Sequence, residues 1–129
     1  VEALIRVVVL DFHDCNKRLL NDVKKMKRLL LGAADVMGAT IVDQSFTRFD
    51  PKGVSGVIVI AESHLAVHTW PEYGYAAVTF ETCGNKIRPW KAVPYLKRQL
   101  SAKRTSQFEM LRGLFDVPRG KLPHKPSRR

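Results

Sequence analysis

Three strand-length runs follow one another between Val54 and Thr82: Val54 to Ile60, His64 to Trp70 and Tyr75 to Thr82. Only short punctuation, including Pro71-Glu72-Tyr73-Gly74, separates them. A β-branched run at Ile5 to Phe12 reads as a further, largely buried strand, and Ala39 to Phe49 as another, closed by a turn at Asp50-Pro51-Lys52-Gly53. Runs of strands interrupted by helices indicate an α+β fold. The expected form is a two-layer sandwich, a mainly antiparallel sheet with helices on one face.

The helices are legible by period. Asp14 or Asn16 can cap a helix after the first strand, since a short side-chain oxygen accepts from the open N–H groups of a first turn. From Leu19 the apolar positions Val23, Met26, Leu30, Ala33 and Met37 recur in steps of three and four, one stripe on a single long helix. Gly38 is its expected C-cap. A second helix is expected at Trp90 to Leu100, with Pro89 at its start, and Arg104 to Leu111 as a returning edge strand. Residues 1–116 form one domain on this reading. Residues 117–129, rich in proline and cation and without an acid, form a basic mobile tail. The sheet face without helices needs a cover, and a second copy of the chain supplies it, so a homodimer or higher homo-oligomer is expected.

With 129 residues the chain has room for one core and not for two. Lys and Arg total 22 against 12 Asp and Glu, a formal net charge of +10. That balance favours anionic partners without fixing a fold. The stripe helix carries Lys17, Arg18, Lys24, Lys25, Lys27 and Arg28 on its other face. This reads as a solvated face ahead of a nucleic-acid surface, because no aromatic platform or known nucleic-acid motif accompanies it. Two cysteines are too few for a disulfide framework, and no apolar run reaches the roughly 20 residues that span a bilayer. The start, Val1 to Arg6, reads as strand and not as a secretory leader. A cytoplasmic setting with no membrane partner is expected.

Reactive side chains concentrate between Ser55 and Cys83. A period of two places His64, Ala66, His68 and Trp70 on one strand face, and Tyr75, Ala77, Thr79, Glu81 and Cys83 on one face of the next. A hydroxyl, an imidazole and a thiol on neighbouring strands suffice for nucleophilic and proton-transfer chemistry. Plainer readings stand beside this one. Cys83 and Cys15 can be small buried hydrophobes, and Ser55 a turn residue. His64 and His68 lack a third ligand at a fixed spacing, so no metal is assigned. Phosphate-loop, dinucleotide and G-x-S-x-G patterns do not occur.

The stretch Ala61-Glu-Ser-His-Leu-Ala-Val-His-Thr-Trp-Pro-Glu-Tyr-Gly-Tyr-Ala-Ala77, followed by Thr82-Cys83-Gly84, resembles the self-cleavage signature of prokaryotic S-adenosylmethionine decarboxylase proenzymes. Gly38 to Val42, Arg48-Phe49 and Gly53 to Val57 extend the resemblance upstream. Pro89-Trp90-Lys91, Lys103-Arg104 and Arg112-Gly113 extend it downstream. The resemblance implies self-cleavage between Glu62 and Ser63, which converts Ser63 into a pyruvoyl cofactor that takes up an amino-acid-type substrate as a Schiff base. It assigns Ser55 and His68 to processing and Cys83 to proton return during decarboxylation. Phe49, Trp70 and Glu72 become substrate-binding residues, Phe49 by stacking on adenine and Glu72 by bonding ribose hydroxyls. The implied activity is decarboxylation of S-adenosylmethionine for spermidine synthesis.

The chain also departs from the family pattern. Its first strand reads Ile5-Arg6-Val7, without the family's histidine. Its fifth reads Val78-Thr79-Phe80-Glu81-Thr82-Cys83, losing an acid at 79 and gaining Glu81 on the Cys83 face. A carboxylate there can pair bidentately with a guanidinium, so Glu81 is a further substrate-binding candidate. Decarboxylation of L-arginine or L-ornithine by the same pyruvoyl chemistry is the alternative.

Overall fold

The computed structural model describes residues 2–84, 86–118 and 120–123. The strands are β1 (Glu2–His13), β2 (Thr40–Arg48), β3 (Val54–Ala61), β4 (Ser63–Trp70), β5 (Tyr75–Cys83) and β6 (Arg104–Phe115). They form one sheet in the order β2-β3-β4-β5-β1-β6, and every pairing is antiparallel. The expected α+β architecture is present. β1 lies inside the sheet because β6 returns along it, from Glu2 opposite Phe115 to His13 opposite Arg104.

One face of the sheet is covered. Leu10 and Phe12 of β1, Val54, Ile58 and Ile60 of β3, Leu65 and Val67 of β4, and Val78 and Phe80 of β5 are buried in a single cluster. Against them packs α2 (Val23–Met37), which buries Met26, Leu29, Leu30, Ala33, Ala34 and Met37. Each fully buried aliphatic or aromatic side chain contributes about 1.5–3 kcal/mol of transfer free energy. α3 (Ala92–Gln99) lies on α2, and Tyr95 stands where a Cβ on Gly32 would be, so only glycine allows that approach. α2 ends at Gly38 with φ 83, the expected left-handed cap.

The single helix expected from Leu19 is in fact two. Asn16 caps a one-turn α1 (Lys17–Leu20), and Asp22 caps α2 through a hydrogen bond from the Lys25 N–H at 3.0 Å. Between them the Asn21 side chain accepts from the Gly53 N–H at 2.9 Å. The Leu20 carbonyl accepts from the Thr69 hydroxyl at 2.7 Å. Both bonds are long-range, so the apolar period could not reveal the break. The second helix also begins later than expected, because Pro89–Lys91 forms a separate 3-10 turn ahead of α3. β6 runs four residues beyond Leu111.

Of the expected tail, Arg119 and residues 124–129 lie outside the described residues. Gly120 donates its N–H to the Glu2 carboxylate at 2.7 Å, bringing this part of the tail back to the start of β1. Among the described residues no helix is long and apolar enough to cross a membrane.

Candidate active site

The face opposite the helices carries the chemistry. Strand alternation sets Ser55, His64, His68, Trp70, Tyr75, Glu81 and Cys83 away from the core, as the period of two predicts. The register then sorts them into two ends.

At one end stands Ser63. It opens β4, opposite Ile60 on β3 and Thr82 on β5, and is therefore one residue from the register position of Cys83. Its φ of 131 lies in a region that side-chain-bearing residues rarely occupy, at a cost of about 1–3 kcal/mol. This angle breaks the extended geometry at the first residue of the strand, so strand parity does not set the direction of Ser63. The adjacent Glu62 has one carboxylate oxygen buried without a hydrogen-bond partner among the described residues. Such a group is expensive to leave unsatisfied.

Glu81 lies opposite His64, with 3.7 Å between its Oε2 and His64 Nδ1. Its Oε1 accepts from the Arg112 guanidinium at 2.9 Å. Arg112 reaches across β1 from β6, where it is opposite Ile5, itself opposite Cys83. Glu81 faces the Cys83 side as expected, without a bulge to turn it, but its charge is already matched inside the chain.

At the other end Ser55 and His68 are register partners, with Ser55 Oγ 2.7 Å from His68 Nδ1. Thr69 fixes this stretch from the core side, its hydroxyl accepting from the Val54 N–H at 2.9 Å. Trp70 stacks on Tyr75 at 5.4 Å between centroids, and Tyr75 stacks on His13 at 5.2 Å. The Tyr75 hydroxyl donates to Asp11 at 2.5 Å. Burial first, then the hydrogen bond to Asp11 and the charge of that carboxylate, push the Tyr75 phenol up to about 12. Phe49, half exposed, follows β2 at this same end, and Glu72 follows Trp70 in the 3-10 turn Pro71–Tyr73.

Asp11, His13, Tyr75 and Arg112 therefore join the face without having been assigned a role from sequence. Three of them lie on β1 or β6, and only the register of those strands brings them in. Ser63 and His68 are five residues apart on one extended strand, roughly 16 Å at about 3.3 Å per residue. The structure brings Ser63 and Cys83 together, and Ser55 and His68 together, but it does not join the two pairs within one chain. Among the described residues no three His, Cys, Asp or Glu side chains gather to hold a metal ion.

Comparison with known proteins places the chain in a family. The family described as S-adenosylmethionine decarboxylase matches residues 6–113. The chain is similar to the S-adenosylmethionine decarboxylase proenzyme of Thermosipho africanus (strain TCF52B), at 49% identity over 128 residues, covering 97% of this chain and 98% of that protein. It is 47% identical over 130 residues to the proenzyme of Thermotoga maritima, covering 98% and 99% of the two chains. Among solved structures it resembles the adenosylmethionine decarboxylase of Aquifex aeolicus VF5. There the TM-score is 0.85 and the identity 29%, over 94% of this chain and all of that one. The chain belongs to the S-adenosylmethionine decarboxylase family.

Proposed function

We propose that the chain is the precursor of a pyruvoyl-dependent carboxy-lyase that cuts itself between Glu62 and Ser63 and decarboxylates S-adenosylmethionine, the aminopropyl donor for spermidine synthesis. The strained Ser63 at the mouth of β4, beside the Thr82-Cys83 end of β5, is the observation that carries the reading. The Ser63 hydroxyl attacks the Glu62 carbonyl, and the amide becomes an ester. Removal of the Ser63 α-proton then breaks the ester C–O bond and releases Glu62 as a carboxylate. The dehydroalanine left at Ser63 takes up water and loses ammonia to give the pyruvoyl ketone. When formed, that ketone supplies an electron sink for the pair released as CO₂ departs.

His68 is the base for the α-proton and Ser55 its positioning residue. For Nε2 to accept the proton, Nδ1 must carry the ring hydrogen and donate to Ser55 Oγ, which the 2.7 Å contact supports. Cys83 returns a proton to the substrate carbon. Phe49, Trp70 and Glu72 hold the substrate from the Ser55 end. Glu81, paired with Arg112, shapes the Cys83 end and is not open to a substrate guanidinium. The relatives' names likewise favour S-adenosylmethionine over the arginine and ornithine alternative.

The roughly 16 Å between Ser63 and His68 in one chain, set by about 3.3 Å per strand residue, calls for a homodimer. Two copies facing each other across their open sheet faces, related by a two-fold axis perpendicular to the strands, run in opposite directions. The partner's Ser55–His68 end then meets the Ser63–Cys83 end of the first chain. A cytoplasmic location is part of this reading, supported by the low cysteine count.

Co-expression of two inactive chains tests it. His68→Ala alone should accumulate uncut or ester-stage protein, and Ser63→Ala alone should never cut. In mixed dimers the Ser63→Ala chain still carries His68, so mass spectrometry should find the His68→Ala chain cleaved. If the mixture stays uncut while wild type cleaves, processing does not use His68 from a partner.

A further inference from the structure

On the helix side, a groove of about 830 Å³ runs between α1, the first turn of α2, the β2–β3 turn and the 3-10 turn at Pro71. Five cations line it: Lys17, Arg18, Lys24, Arg48 and Lys52. None forms a salt bridge with a described residue; the one polar side-chain contact among them is Arg48 to the Pro51 carbonyl at 3.4 Å. Asp22 and Glu72 are the acids of the lining, and Asp22 already accepts the Lys25 N–H.

The helices add to the imbalance. An α-helix presents partial positive charge at its N-terminus, where acidic residues stabilise it and basic ones do not. The Asp22 carboxylate caps α2, but the first turn itself has no acid and carries Lys24 and Lys25. Its Val23 and Lys24 N–H groups precede the first intrahelical bond and have no acceptor among the described residues; both residues line the groove. Cations from α1, α2, the end of β2 and the β2–β3 turn thus line one groove together with open backbone donors, and their like charges repel one another. An anion seated in the groove would relieve all of these repulsions together. The substrate of the proposed reaction is a cation and would not.

We infer that this groove is a binding site for a small polyphosphate anion, held by Lys17, Arg18, Lys24, Arg48 and Lys52 and by the open N–H groups of α2. Its volume accommodates a triphosphate with or without a nucleoside. Two sources share this chemistry, free inorganic polyphosphate and a nucleoside triphosphate. Glu72 lies at the rim and is the one residue the groove shares with the substrate contacts proposed above. The inference otherwise stands apart from that reading.

Calorimetric titration of the purified wild-type protein at low salt, with tripolyphosphate, ATP and adenosine in parallel, tests it. Tripolyphosphate and ATP should each saturate one site per chain and weaken steeply as salt rises. Equal affinities point to the phosphates alone, and tighter ATP binding points to a nucleotide. The double variant Lys24→Glu/Lys52→Glu should lose at least tenfold in affinity for both. Lys97→Glu/Lys103→Glu changes the net charge equally but lies outside the groove, and should keep the wild-type affinity. Equal losses in the two variants would mean bulk charge and no site. Absence of saturable tripolyphosphate binding to wild type, or binding of a long RNA without any binding of tripolyphosphate, would also overturn the inference. Self-cleavage on a denaturing gel and the far-ultraviolet spectrum check that each variant is folded.

Discussion

The two faces of this sheet are made by the same strands, residue alternating with residue, yet they are built on different terms. The covered face is almost wholly aliphatic and aromatic, sealed by α2, and its side chains are satisfied by contact, apart from the buried Thr69, whose hydroxyl is hydrogen-bonded to the backbone, and the buried Thr82. The open face mixes Val7 and Val9 with Ser55, His64, His68, Asp11 and Glu81, and leaves Phe108 and Met110 of β6 exposed. One face stores stability. The other stores polar groups that need partners, some within the chain and, on the proposed reading, some in a second copy. Substitutions on the two faces should therefore fail in different ways.

The largest effect is expected at Ser63. Ser63→Ala removes the nucleophile, so the protein should run as a single intact band with no decarboxylation, while its melting temperature stays at or above that of the wild-type precursor. Cleavage in that variant would remove Ser63 from the mechanism. Cys83→Ala comes next. It should still process but lose about 10²–10⁴ in kcat, the range for a missing general acid. Normal turnover would reassign the proton donor. On the covered face, Phe80→Ala opens a cavity in the buried cluster and should cost about 3–5 kcal/mol in denaturant unfolding. The fraction that folds should process normally. A slowed cut in folded Phe80→Ala protein would mean that the two faces are not separable.

The covered face was legible from sequence because one contact type decides it. The apolar period locates the buried stripe of α2, Gly38 marks its cap, and the β-branched and alternating runs locate β2 to β5 to within a residue, whereas β1 starts three residues before the run at Ile5. What escaped was the break at Asn21-Asp22. It depends on hydrogen bonds to Gly53 and Thr69, residues 32 and 49 positions away from their partners. The open face was legible only in part. The local signature named Ser55, Ser63, His68 and Cys83, but a signature does not carry distance. That His68 lies most of a strand's length from Ser63 follows from both being on β4, five residues apart. Asp11 and Arg112 enter only through β1 lying between β5 and β6, a long-range pairing that no local period encodes.

A smaller effect separates the faces by pH. Cys15 is buried after β1, and burial first, then the Asp14 charge, push its thiol up to about 11 from the usual 9.0. The folded state therefore holds the thiol proton more tightly than the unfolded chain. Below pH 9 this contributes its full stabilisation. Between pH 9 and 11 the unfolded chain ionises first, so stability falls as pH rises through that window. Cys15→Ala should flatten the decline between pH 9 and 11 in urea melts. Tyr75, raised to about 12 from 10.0, should leave a further decline above pH 10 in the same variant. An unchanged slope in Cys15→Ala would show that the thiol is not the group responsible.

The smallest expected effect tests whether the Glu81–Arg112 pair belongs to stability or to the site. Arg112 is 56% exposed and Glu81 20%, so solvent screens much of their attraction despite the 2.9 Å contact. Pairs of this kind are worth about 1 kcal/mol or less. Arg112→Gln should therefore shift the urea midpoint only slightly, leave cleavage intact and change S-adenosylmethionine turnover less than tenfold. The alternative outcome is informative. Removing Arg112 frees a carboxylate two residues from Cys83, on the strand face where the proton is to be delivered. If turnover drops far more than stability while processing is unaffected, and Glu81→Gln in the Arg112→Gln background restores it, the pair acts by keeping uncompensated negative charge away from Cys83. In that case the cation on the edge strand β6 is a positioning residue for the reaction. The open face would then be tuned by its outermost strand as much as by the strands that carry the signature.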